Sequence, residues 1–362
     1  MIKLPQYARE IIYREVKALF QLKKTERLWH VPALASLCTG LPLLIAYYFS
    51  RLDLGVLSCM GGLVILYLPS TRLEHRMKTL LFASIGFVIS FAIGLGFCFN
   101  PYMSALTIGL YAVFVNMTTN YLRLPPPGNF FFIMLASMAA CMPFDLHKLP
   151  IKVALLALGA LLACVFALLY SLYIIRKLPA KTPKIIERKR HVTNLTESLV
   201  IGLFIGLSIY IGRYFRFDNP YWIPISCLAI MQGMNARHVG QRSFHRILGT
   251  IIGMGLSWFL FHLKLNPLSI CICILVLQFI IELLIVRQYA LTVIFITPMT
   301  MFLAEIARGA NIAPDKLILT RLLDILIGSL IGLVGGVLLH NRKIHNKAEL
   351  HIMKLCNSFT HK

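Results

Sequence analysis

The chain has 362 residues, of which 58% are apolar and only 14% charged, against about 45–50% and 25% in an ordinary soluble domain. So few charges cannot cover a water-facing surface of this size, whereas a lipid-facing surface needs none. The formal net charge of +22 is divided among short segments between apolar runs. That distribution points to cytoplasmic loops lying near anionic lipid and away from a nucleic-acid partner. The continuous apolar runs predict spanning helices and exclude the short alternating strands of a membrane barrel.

In chain order, residues 1–30 read as a cytoplasmic segment. Within it, Ile11, Ile12, Val16, Leu19 and Phe20 recur at helical spacing among basic residues, which predicts an amphipathic helix on the membrane surface. It carries too many charges for a signal h-region, so insertion is expected to begin at the first apolar run. Apolar runs follow near 31–49, 54–69, 79–98, 103–118, 129–144 and 151–175. A basic linker, 176–194, separates these from a second set near 195–214, 221–236, 247–263, 267–286, 289–304 and 318–340. Residues 341–362 form a basic tail. Several runs fall short of the roughly 20 residues of a straight span, so a count of ten crossing helices stands beside twelve. Most of the 36 Lys and Arg fall on the side of the N-terminus, which predicts both termini in the cytoplasm.

The two sets align collinearly. His75-Arg76 falls on His245-Arg246, Arg72 on Arg242, Asn100-Pro101 on Asn266-Pro267, and 151–159 on 320–328, at a nearly constant offset. The expected architecture is all-α: a polytopic transmembrane bundle of two tandem parallel repeats, 31–175 and 195–340, of about six helices each. Such repeats are related by an axis along the membrane normal.

Ionisable residues inside a span cost roughly 2.5–3.5 kcal/mol each, so each needs a partner or a wet cavity. Arg72, Arg76, Arg242 and Arg246, at the starts of the third run in each set, read either as a ring attracting anions or as plain positive-inside anchors. Arg321 and Asp324 share a helix face and read either as a substrate contact with a proton carrier or as a structural ion pair. The first-set counterpart of Arg321 is Lys152. Glu282 reads as a partner of Arg287 or as a second proton-coupling candidate. Tyr221 and Trp222 suit either an aromatic substrate or an interfacial belt. Gly249, Gly253, Gly328 and Gly332 read as small-residue packing faces. The nine cysteines lack zinc spacing; no cofactor and no metal is expected, and no catalytic motif is present.

The run YWIPISCLAIMQGMNARHVGQRSFHRILGTIIGMG (221–255) resembles the signature of the fusaric acid resistance (FUSC) superfamily of membrane transporters. Arg246, Gly249, Thr250 and Gly253 open the second helix of that pattern. FITPMTMFLAE (295–305) and RLLDILIG (321–328) also fit, while the first set matches more loosely. The resemblance implies a relative of the aromatic carboxylic acid exporters and, more distantly, of the plant aluminium-activated malate transporters. It implies a bacterial inner-membrane transporter of organic anions. The expectation is export of such anions, aromatic carboxylic acids among them, driven by the proton gradient, and, with no catalytic motif, not an enzyme. A passive anion channel of the same fold and a non-transporting membrane scaffold remain the alternatives. The implied partners are the lipid bilayer and a small organic anion, with a homo-oligomer or a periplasmic adaptor protein left open.

Overall fold

The computed structural model describes residues 25, 27–175, 191–263, 265–308 and 314–341. The amphipathic N-terminal segment, most of the linker and the basic tail lie outside the described residues. Among the described residues the chain is all-helical, with twelve α-helices. They are α1 (His30–Tyr48), α2 (Leu52–Gly62), α3 (Leu73–Gly96), α4 (Pro101–Tyr121), α5 (Phe130–Ala140), α6 (Leu149–Ile175), α7 (His191–Tyr214), α8 (Trp222–Met231), α9 (Ala236–His262), α10 (Pro267–Leu284), α11 (Tyr289–Arg308) and α12 (Pro314–Leu339). A 3-10 turn, Leu63–Tyr67, extends α2. Among the described residues, eight helices are long and apolar enough to cross a membrane, whereas α2, α5 and α8 are short apolar helices.

The helix starts follow local chemistry. The Asn100 side chain accepts from the Tyr102 and Met103 amides, with Pro101 in the first turn. Asn266 accepts from the Ser269 amide at 2.8 Å, again with a proline following. Both satisfy backbone donors that a helix start leaves open, with proline where its missing N–H costs nothing. Two starts differ most from the apolar runs. α9 begins eleven residues before its run and α3 six, because ARHVGQRSFHR and LEHRMK are helical despite their charges. The linker's last four residues, 191–194, are the first turn of α7.

The exposed faces are those of a lipid-embedded bundle. α6 turns Leu158, Leu161, Val165, Leu169 and Leu172 outward while burying Leu156, Ala160, Ala163 and Ala167. α4 exposes Leu106, Leu110 and Phe114. Side chains of this kind suit hydrocarbon and would cost burial free energy in water.

Inside, α3 packs on α5 and α6, and α2 on α6; likewise α9 packs on α11 and α12, and α8 on α12. Two long seams join these groups: α4 against α7, and α1 against α10. Glycines permit the close approaches. A side chain at Gly253 would meet the Ile294 carbonyl at 2.6 Å, and one at Gly332 the Cys227 carbonyl at 2.7 Å. These are the small-residue faces expected of helices that pack in lipid. α5 stops after 11 residues, and its C-terminal carbonyl at Ala140 accepts from the Arg213 guanidinium of α7, which also reaches Ser104 Oγ at 2.8 Å.

Candidate functional site

A cavity of about 2710 Å³ runs through the bundle. Its lining includes Arg27 and Leu28 just before α1, and Arg51 and Asp53 just beyond it. The 19 residues of α1 rise about 28 Å, close to the roughly 30 Å of a bilayer's hydrocarbon core. The lining therefore follows the whole length of a spanning helix.

Three guanidiniums are stepped along α8. Arg321 of α12 lies over the Trp222 ring at the start of α8, 4.1 Å from its centroid. Arg246 of α9 donates from Nη2 to Ser226 Oγ in the middle of α8, at 3.1 Å. Arg242 donates from Nη1 to the Gln232 carbonyl at the end of α8, at 3.0 Å. From residue 222 to residue 232 a helix rises about 15 Å, so the three cations mark successive levels of the cavity.

Tyr289 ties two of these levels together. Its hydroxyl accepts from Arg246 Nη1 at 3.1 Å, and its ring lies 4.7 Å below the Arg242 guanidinium. Arg242, Arg246 and Arg321 each keep a buried Nε–H without a hydrogen-bond partner among the described residues. A buried donor left unmade costs about 1–3 kcal/mol, more when charged. Asp324 and Arg246 are both within electrostatic reach of Arg321. Three cations near one carboxylate leave a positive field that suits a carboxylate ligand, which a guanidinium binds in bidentate fashion.

The residues singled out from sequence divide as follows. Arg76, Arg242, Arg246, Arg321, Tyr221, Trp222 and Glu282 all line the cavity. So does Lys152, aligned with Arg321, just as Arg76 is aligned with Arg246. Arg76 is buried, donating from Nε to the Thr71 carbonyl at 2.7 Å and from Nη1 to Ser171 Oγ at 3.4 Å. Arg72 is exposed at the start of α3 and is not part of the lining. Asp324 is buried behind Arg321 and also outside the lining. Glu282 pairs with Arg27 at 2.8 Å rather than with Arg287, and Gln278 adds a contact at 3.4 Å.

Sequence reasoning does not find Tyr289, Arg27 or an amide chain that bridges the two sets of helices. There Asn116 donates to Ser198 Oγ and accepts from Asn129, and Asn129 accepts from Gln232 at 3.4 Å. No local signal marks these residues, because a tyrosine after Arg287 reads as an interfacial residue and the asparagines as ordinary polar breaks.

Residues 207–335 match the family described as fusaric acid resistance protein-like. Over 148 residues the chain is 35% identical to "Uncharacterized membrane protein YvaC" of Bacillus subtilis (strain 168), a stretch covering 41% of this chain and 23% of that protein. The chain thus spans about a quarter of that curated relative's length. No solved structure matches the chain. Residues 207–335, which carry Trp222, Arg246 and Arg321, are thus the part of this multi-span chain that is similar to the fusaric acid resistance protein-like family.

Proposed function

We propose that the protein exports organic anions, aromatic carboxylic acids among them, across a bacterial plasma membrane, with both termini cytoplasmic. The observation that carries this reading is the stair of Arg242, Arg246 and Arg321 along α8, inside a cavity lined from one end of α1 to the other. Graded cationic sites draw an anion in without holding it at one deep well, as conduction requires. The recurring helix pairings support a tandem duplication, with Arg76 and Arg246, and Lys152 and Arg321, as matched wall residues. Proton coupling is assigned to Asp324. Glu282 is the weaker candidate, because its carboxylate is committed to Arg27.

The test is benzoate uptake into inverted vesicles holding the purified protein, with and without an inward-acid pH gradient. Gradient-dependent accumulation that falls at least tenfold in Arg246→Ala and in Arg321→Ala is the expected result. A passive channel is the second reading, favoured by lining residues at both ends of α1. Flux that follows only benzoate's own gradient would establish it. A wild-type protein that moves no carboxylate would overturn both and leave a scaffold.

A further inference from the structure

The cavity has room for far more than a small carboxylate. Sites for drug-sized molecules occupy roughly 300–1,000 Å³, and this one holds about 2710 Å³. Its cationic wall also has an apolar neighbour. α5 packs beside α8, and the Asn129–Gln232 hydrogen bond fixes the start of α5 level with the end of α8. From there Phe131, Met134 and Met138, spaced three and four residues apart on one helix face, line the cavity along α5. Met60 of α2 and Met142 beyond α5 extend the same apolar lining. Counted along α5 from Asn129, Met134 and Met138 rise about 8 and 14 Å. The same rises back along α8 reach the levels of Ser226 and Trp222, where Arg246 and Arg321 sit. Methionine is unbranched and polarisable, so it moulds to apolar bodies of varied shape.

We propose, building on the anion-pathway reading, that the cavity takes bulky amphipathic anions: one anionic head on Arg246 or Arg242, and an apolar body of about ten carbons along the Phe131–Met134–Met138 face. The cationic stair selects the head, and the methionine face selects length without selecting shape.

The test uses straight-chain alkanesulfonates of one, four, seven and ten carbons, whose head stays charged throughout. Binding to the full chain in nanodiscs is measured with partition into empty nanodiscs subtracted. Affinity is expected to rise about two- to fourfold per methylene added. Arg246→Ala should weaken every chain length by a similar factor. Met134→Ser/Met138→Ser, checked for a melting temperature within a few degrees of wild type, should at least halve the chain-length slope. Methanesulfonate binding with no chain-length dependence would overturn this proposal and leave the anion pathway standing. Decanol competing as well as decanesulfonate would overturn the role of the head. No sulfonate binding at any length would overturn both readings together.

Discussion

The two long seams of the bundle are built on different principles. Along α4–α7 the backbones themselves approach: a side chain at Gly109 would meet the Gly202 carbonyl at 3.0 Å, and one at Gly206 the Ala105 carbonyl at 2.9 Å. Neutral hydrogen bonds then finish the seam, Asn116 to Ser198 and Asn120 to Asn194, each at 2.8 Å. Along α1–α10 the closest neighbour of Gly40 is the flexible Leu275 side chain, and the seam's end is held by the Arg27–Glu282 ion pair. Backbone contact with neutral amides makes a fixed joint. Side-chain packing with one charge pair makes a joint that yields when charge changes, so α1–α10 is the seam expected to open beside the cavity.

The largest effect should come from wedging the fixed joint. Gly206→Leu has no flexible neighbour to displace, so it should abolish a monodisperse peak in gel filtration. Gly40→Ala, which Leu275 can accommodate, should shift the melting temperature by only a few degrees. Next, Glu282→Gln leaves Arg27 facing a neutral amide. Breaking a buried pair on one side costs about 3–5 kcal/mol; because Arg27 retains 23% exposure, a loss of about 2 kcal/mol in chemical unfolding is expected. Arg27→Met in that background should cost little more, since the pair is already broken. Smaller again, Asn116→Leu at the fixed joint should cost about 1–2 kcal/mol, and the cost should not change between low and high salt. An equal salt dependence at both seams would remove the distinction between them. The smallest effect is at Tyr289→Phe. Arg246 loses a neutral partner but keeps Ser226, so benzoate KM should fall two- to threefold with the melting temperature nearly unchanged. A rise in KM would instead make the phenol part of the binding site.

Much of this architecture is legible in the sequence. Every helix coincides with an apolar run, because lipid imposes apolarity on the outer face of a span regardless of its inner contacts. The starts of α3 and α9 are not legible, because apolarity measures side-chain charge and not backbone conformation. The charges of RHVGQRSFHR ride on a regular helix because Arg242 and Arg246, four residues apart, turn toward α8. In the site, Arg246 and Arg321 are readable as intramembrane charges and, with Trp222, as parts of the FUSC resemblance. Tyr289 and the partner of Glu282 are not. Arg27 reaches Glu282 across 255 residues of chain, and no spacing rule predicts such a meeting. Arg72 misleads for the opposite reason: it aligns with Arg242, but it stands outside the first turn of α3, where its side chain meets the surface and not the cavity.

The contact between Arg213 and the end of α5 has a consequence for biosynthesis. α5 ends after three turns, and its final carbonyls, unlike those of a full-length span, do not reach a headgroup layer by their own length. The group that satisfies Ala140 belongs to α7, which leaves the ribosome some seventy residues later. Until α7 inserts, the nascent first half holds an open carbonyl end. Its early helices are therefore expected to wait, incompletely docked, for a residue not yet translated, and a chain stopped after α6 should be cleared by membrane quality control rather than accumulate as a stable half-protein.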